Sequence, residues 1–293
     1  MRQWWSGIPP GLRLMAGGAL SFSAMSALLK LAGETLPLFE IVTGRSLVVA
    51  VLAGYGVWRQ GHSFMPTEVK LVMLRGLFGF VALSCYFYAV IHLPLADATV
   101  IYFINPVLTA LVAAVVLREH MGLREVGWIA LSLGAVLVVA RPSFLFGADR
   151  ALDTVAVVLC LVSALFAAAS YVTIRSIRDD PPLLVVFYFS AITVVLGAPI
   201  VATGFTRPSL VEVLIVVGVG VATHVGQLWI TWGLRMERAG RASAVGYLQI
   251  VFAAGWGWLL FSEVPDAWTW VGAAAITLST LRISRIPPVR RGA

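Results

Sequence analysis

The sequence predicts an all-α membrane protein of ten transmembrane helices built as two inverted five-helix repeats, and three observations carry the prediction. Hydrophobic residues fill 60% of the 293 positions and charged residues only 12%, about half the charged share of a soluble globular domain. The mean hydropathy of +0.93 is spread along the whole chain, which excludes a soluble domain on a single anchor. The second half also repeats the punctuation of the first at a nearly constant offset.

A span needs about 20 predominantly apolar residues. Charges, Pro and Gly then divide the chain into spans near 12–32, 36–58, 69–91, 95–117, 123–140, 153–174, 182–203, 209–232, 239–261 and 267–281. The opening stretch, MRQWWSGIPPGLR, has neither the apolar core nor the small-residue cleavage site of a signal peptide. Positions 1–11 are therefore expected to stay as a cytoplasmic segment, followed by a first repeat over 12–140, a second over 153–281 and a basic cytoplasmic tail over 282–293. With both termini in the cytoplasm, fifteen Lys and Arg fall in inside segments and four outside (Lys30, Arg141, Arg150 and Arg207), while Arg45 and Arg75 fall within spans. That bias obeys the positive-inside rule, so the net charge of +7 reads as topology and no nucleic-acid partner is expected.

The repeat shows in Lys30-x6-Pro37, which returns as Arg175-x6-Pro182 at an offset of 145, and in Leu117-Arg118-Glu119, which returns as Phe261-Ser262-Glu263 at 144. Gly127 and Gly134 find Gly272 and Ser279 at 145. Five spans per copy is an odd number, so the copies enter the membrane in opposite senses. Inverted repeats are typical of secondary transporters, which hold substrate near the midplane between the copies.

Polar side chains in a span are confined to faces turned away from lipid. Four spans carry such stripes: Ser23, Ser26 and Lys30 in span 1; Gly76, Phe80, Ser84 and Tyr88 in span 3; Ala98, Tyr102, Asn105 and Thr109 in span 4; His224, Gln227 and Thr231 in span 8. Asn105 maps onto Gln249 at the 144 offset, so a cavity could draw polar groups from both copies. The same residues could instead glue helices together by interhelical hydrogen bonds. Pro106 is expected to kink span 4, either as a gating hinge or as a static bend, and its repeat partner Ile250 leaves the second copy without that device. Arg45 is a charge deep in span 2, which either attracts a carboxylate or pairs with Glu40 or Glu34. His224 could relay a proton, because the unperturbed pKa of histidine lies near neutrality, but a lone intramembrane His is more often a satisfied hydrogen-bonder.

Among the ten Trp and seven Tyr, Trp4, Trp5, Trp58 and Trp268 suit interfacial belts, whereas Tyr88, Tyr102, Trp229 and Tyr247 read as deeper. Gly218, Gly220, Gly226, Gly255 and Gly257 suit close packing of helices 8 and 9. Spans 5 and 10 are nearly free of polar groups and are expected to be scaffold or the contact in a homodimer. Cys85 and Cys160 lie in apolar runs and form no framework or metal spacing. No phosphate-binding glycine loop, metal cluster or acid/base pair is visible, so no cofactor, metal or enzymatic activity is expected.

Asn105-Pro106-Val107-Leu108-Thr109 running into Leu117-Arg118-Glu119, then Gly127-Trp128 and Gly134, resembles the fourth-to-fifth helix pattern of the drug/metabolite transporter superfamily. Its bacterial ten-helix exporters carry the same Pro, helix-end Glu and following Gly, with a second copy that here is Phe261-Ser262-Glu263 and Trp270-Val271-Gly272. Arg45 also stands where that family often places an Arg in helix 2, and Val100 through Pro106 looks most like the aromatic amino-acid exporters. The resemblance implies a multi-pass protein of the bacterial inner membrane that exports neutral amino acids, aromatic ones included, by alternating access. Tyr88, Ser84, Tyr102, Asn105, His224, Gln227 and Tyr247 are then expected to bind the substrate and Pro106 to serve as hinge. The alternatives are uptake or exchange of another small metabolite, such as a nucleotide-like compound, or drug efflux.

Overall fold

A computed structural model describes residues 8–32, 36–93, 95–119, 121–140, 145, 152–262, 264–265 and 267–286. Residues 1–7, Glu34, Arg141, Arg150, Glu263 and 287–293 lie outside this description, as does the side chain of Lys30. The described residues form helices without strands: α1 Pro10–Ala32, α2 Leu38–Arg59, α3 Val69–His92, α4 Leu95–Tyr102, α5 Asn105–Val116, α6 Leu123–Ala140, α7 Thr154–Ser176, α8 Pro182–Ala202, α9 Leu210–Met236, α10 Ala239–Val245, α11 Leu248–Phe261 and α12 Ala267–Arg285. Spans 4 and 9 are each two helices in line, α4 with α5 and α10 with α11, which leaves ten crossings. By length and composition, seven stretches of the described helices are long and apolar enough to cross a membrane. The outer faces of the helices expose bare apolar side chains such as Val115, Leu123 and Leu259, as expected where lipid is the solvent.

Which helices touch reveals a two-fold axis between the copies. α2 packs on its own repeat mate α8 and α6 on α12, while the two interrupted crossings, themselves repeat mates, meet through α5 and α10. The remaining large contacts come as pairs exchanged by the repeat: α1 on α9 with α3 on α7, α1 on α11 with α5 on α7, and α2 on α9 with α3 on α8. Backbone conformation obeys the same relation. Pro37 and Pro181, 144 positions apart, precede α2 and α8 with φ/ψ of −59/138° and −63/142°. Among the described residues the non-glycine positions of positive φ are Arg118 at 53° and Ser262 at 57°, again 144 apart, and each ends the second half of a crossing. The molecule is therefore two inverted five-helix repeats.

Small residues bring the copies together. A Cβ on Gly233 of α9 would stand 2.6 Å from the Met15 side chain and 2.9 Å from the Gly11 carbonyl of α1, so backbone meets backbone there. Gly220 and Gly226 likewise receive Val48 of α2 and Phe22 of α1, whereas a Cβ on Gly255 would meet open space. The glycines of span 8 thus seat first-repeat helices, a correction to the expectation that they pack spans 8 and 9 together. Hydroxyls add interhelical bonds, from Ser21 to the Ala222 carbonyl at 2.8 Å and from Ser163 to the Ala82 carbonyl at 2.7 Å.

The second copy bends as the first does, against the expectation from Ile250. Between α4 and α5 the chain tightens into i→i+3 bonds, Ile104 N–H to the Ile101 carbonyl and Val107 N–H to the Ile104 carbonyl; between α10 and α11 it does so through Gly246 to Ser243, Tyr247 to Ala244, Gln249 to Gly246 and Ile250 to Tyr247. Pro106 removes a donor in the first copy. In the second, Gly246 has no Cβ to set against the Ser243 carbonyl, which would lie 2.9 Å from it. Ser262→Gly relieves the left-handed cost of a side chain at that position, about 1 kcal/mol, and is expected to raise the midpoint of thermal unfolding in detergent. A lowered midpoint would mean that the backbone there is not left-handed.

Candidate functional site

Eight of the ten crossings surround a cavity of about 670 Å³ between the two copies; only α6 and α12 contribute nothing to its wall. It runs from Met15, Asn105, Ser243 and Ile230 in the middle of the molecule to Leu29 and Leu38 near the end of α1 and the start of α2. The opposite end, where the segments 60–68, 117–122, 177–181 and 237–238 join helix ends rich in arginine, is closed by polar clasps between the copies. Glu68 accepts the N–H groups of Arg178 and Asp179 at 2.7 and 3.1 Å, and Asp180 accepts those of Thr67 and Glu68 at 2.6 and 2.8 Å. Glu119 takes Arg175 at 3.1 Å with one oxygen and the Ala239 N–H at 3.0 Å with the other. Arg238 binds Glu125, Arg175 also donates to the Arg235 carbonyl, and Arg241 lies 3.8 Å from Glu237. Burial raises the Glu237 carboxyl above its ordinary range, against the pull of Arg241, Arg175 and Arg238.

Two guanidinium groups dominate the cavity wall. Arg45 of α2 is 7% exposed and donates to the Thr223 hydroxyl at 3.3 Å, with the Met25 sulfur at 3.5 Å. Arg75 of α3 is 3% exposed, donates to Gln227 Oε1 at 3.0 Å and sits 4.1 Å from the centre of the Phe189 ring. Its Nε is buried without a partner among the described residues. The described wall contains no Asp or Glu, and Glu40 turns instead to the Thr206 N–H at 2.6 Å. Arg45 is therefore not paired with Glu40; it is held by a neutral hydroxyl and a thioether. A charge in the middle of a bilayer costs about 3 kcal/mol even on insertion scales, and neutral partners offset only part of that. The described wall is thus positively charged.

Around the cations lie aromatic faces and amides. Tyr86 and Tyr102 pack at 4.6 Å between ring centres, and the indole N–H of Trp256 donates to Ser23 Oγ at 3.1 Å. Asn105, Gln227 and Gln249 reach the wall. Thr109 donates to the Asn105 carbonyl at 2.8 Å, which holds the start of α5. Phe103 and Tyr247, repeat mates 144 positions apart, stack at 5.8 Å, and the Tyr247 hydroxyl donates to the Phe103 carbonyl at 3.0 Å. One bond thus joins the two interrupted crossings on the axis.

Of the residues singled out in the sequence, Tyr102, Asn105, Pro106 and Gln227 stand on the cavity wall, with Ser23 and Ser26. Tyr247 is fully buried behind Phe103 rather than on the wall. Ser84 and Tyr88 are off the wall: Tyr88 is exposed and stacks on His92 at 4.0 Å. The inward face of α3 is Arg75, Gly79, Ala82 and Tyr86, nearly half a turn from the expected stripe. Likewise α9 turns Val219, Gln227 and Ile230 inward and leaves His224 outside the lining. Trp229 is not deep either, being 38% exposed beside Gly17. Arg75, Tyr86, Phe189 and Trp256 went unmarked, although Arg75 with Gly79 at i+4 and Tyr86 at i+11 is a helical face anchored by a charge.

Ten crossings, inverted repeats and a cavity between the copies define a membrane transporter. A profile of the EamA-like transporter family matches twice, over residues 9–141 and 154–285. The chain belongs to that family, within the drug/metabolite transporter superfamily. It is 36% identical over 279 residues to the pseudopaline exporter CntI of Pseudomonas aeruginosa, covering 94% of this chain and 96% of that one. Human solute carrier family 35 member G1 is 28% identical over 72% of this chain and 60% of its own. A solved crystal structure shares the fold with a TM-score of 0.81 and 18% identity, over 93% of this chain and 98% of the other.

Tyr247→Phe removes the bond between the interrupted crossings and leaves the Phe103 carbonyl short of a donor. It should lower stability by about 1 kcal/mol, read as a fall in the unfolding midpoint of purified protein; an unchanged midpoint would mean that the bond contributes nothing.

Proposed function

We propose that this transporter exports small carboxylate-bearing metabolites of the amino-acid class from the cytoplasm by alternating access, with Arg45 and Arg75 binding the carboxylates. The observation that carries the reading is the pair of buried guanidinium groups facing a cavity whose described wall has no acid. Neutral amino acids, aromatic ones included, fit through one carboxylate and the Tyr86, Tyr102 and Trp256 faces. Solutes with two carboxylates match the wall better, because no acidic group in it receives an ammonium. Export in a 36% identical relative, named for pseudopaline, supports the direction. Guanidinium forks also take phosphate, so a nucleotide-like anion is the second reading.

In this account the Arg-rich end faces the cytoplasm, in a multi-pass protein of the bacterial inner membrane with both termini inside. The conformation described is then outward-facing, its cytoplasmic end shut by the Glu68, Asp180 and Glu119 clasps. The interruptions at Phe103–Ile104 and Gly246–Tyr247 are the hinges, with Pro106 at the first. Tyr102, Asn105 and Gln227 contact substrate directly. Tyr247 acts by holding Phe103. Helices α6 and α12 form the scaffold.

Proteoliposomes loaded with labelled phenylalanine, glutamate, an N-carboxyalkyl amino acid or a nucleotide test the substrate. Efflux of the carboxylates is expected, and efflux of the nucleotide alone would replace the reading by the second. Arg45→Gln and Arg75→Gln should each slow carboxylate efflux by about tenfold or more, the loss of one charge-assisted hydrogen bond, with the protein still monodisperse. Wild-type efflux in both variants would remove the guanidinium groups from the mechanism. Asp180→Ala should loosen the clasp, so that Met15→Cys, placed in a Cys85→Ala/Cys160→Ala background, is labelled faster from the cytoplasmic face. Equal labelling with and without Asp180 would mean that the clasp does not hold that end shut.

A further inference from the structure

A second recess lies on the outside of the scaffold pair, where the start of α6 meets the end of α12 at the Arg-rich end. It has a volume of about 670 Å³ and is lined by Arg124, Trp128, Leu131, Arg282, Arg285 and Ile286, with Gly127 in its floor. None of these residues reaches the transport cavity, and the transport reading assigns the recess nothing. Helical spacing aligns it: Arg124, Gly127, Trp128 and Leu131 occupy one face of α6, and Arg282 and Arg285 lie three apart on α12.

We infer that this recess binds the phosphate headgroup of an anionic phospholipid. Three arginines converge on a space that no carboxylate of the described residues lines, Glu125 being turned inward to Arg238 and the Gly122 N–H. The Arg282 guanidinium lies 6.0 Å from the centre of the Trp128 ring, which fixes the cation at the level an interfacial tryptophan occupies. Below the cations the wall turns apolar. Leu131 lines the recess, and Leu278, one turn before Arg282, continues the exposed apolar surface toward the middle of the membrane. A basic rim over an apolar trough at the membrane surface matches an amphiphile with a phosphate head and acyl tails. A free phosphate would satisfy the rim but leave the trough bare. A Cβ on Gly127 would meet nothing within 4 Å, so a large side chain there would occupy the recess without pushing the helices apart.

The test uses the full chain purified in a neutral detergent. Native mass spectrometry and thermal unfolding are followed on addition of phosphatidylglycerol, cardiolipin, phosphatidylcholine or inorganic phosphate. The two anionic lipids are expected to stay bound and to raise the unfolding midpoint, whereas phosphatidylcholine and phosphate do neither. Arg124→Gln/Arg282→Gln should weaken lipid binding at least tenfold, and Gly127→Trp should abolish it while the protein stays monodisperse. Arg59→Gln/Lys70→Gln, which removes two exposed cations outside the recess, should leave binding unchanged. Equal losses in both double variants would overturn the proposal in favour of general surface charge. Stabilisation by phosphate as strong as by lipid would overturn it in favour of a small-anion site. A change of oligomeric mass in Gly127→Trp without any change in lipid binding would assign the recess to contact between two copies instead. Failure of carboxylate transport bears only on the central cavity and leaves this site standing.

Discussion

Hydrocarbon offers no partner to a peptide N–H or C=O, so every crossing has to pair its own backbone. Departures from the α-helix are then tolerated only where protein replaces lipid. Among the described residues, both interrupted crossings meet where the two copies touch. The chain tightens at Ile104 and again at Gly246 and Tyr247, and the loosened turns face the cavity or each other rather than the bilayer. The axis is thus where the backbone is least constrained by its own hydrogen bonds and where the copies touch through Phe103 and Tyr247. Cavity, hinge and repeat contact share one place for one physical reason.

The symmetry of the backbone is not matched by the charges. Both cavity guanidinium groups come from the first copy, and the positions 144 beyond Arg45 and Arg75 hold Phe189 and Val219. Phe189 lies against Arg75 instead, and Gln227 of the second copy accepts its hydrogen bond. A scaffold with two-fold packing therefore holds a binding surface with no symmetry of its own. Repeat geometry can move the helices without forcing the substrate to be symmetric.

Much of the fold was legible because apolar length, charge placement and internal offset are one-dimensional signals. Leu117-Arg118-Glu119 and Phe261-Ser262-Glu263 were recognised as echoes, and the backbone at Arg118 and Ser262 proves to turn with the same left-handed φ. Rotation about a helix axis is a weaker signal in a chain this apolar. In α3 the polar stripe of Ser84 and Tyr88 was chosen for its hydroxyls, while the inward face is set by Arg75, whose charge cannot be left in lipid. In α9 the expected stripe joined His224 to Gln227 and left out Thr223, although Thr223 and Gln227 form the face that receives the arginines. Ile250 misled because a missing proline was read as a missing bend, when Gly246 supplies the space by lacking a Cβ.

The ring stack of Phe103 and Tyr247 is its own image under exchange of the two copies, whereas the Tyr247 hydroxyl bond is not, since Phe103 has no hydroxyl to return it. If the molecule alternates by letting each copy adopt the other's shape, the stack is equally made in both end states and cancels from their ratio, while the hydroxyl bond weighs on one of them. The clasps of Glu68, Asp180 and Glu119 have no such property, since they exist at one end only and weigh on one state. The molecule then keeps two separate controls: peripheral carboxylates that set how long each side stays open, and an axial aromatic contact that sets how fast the sides trade places.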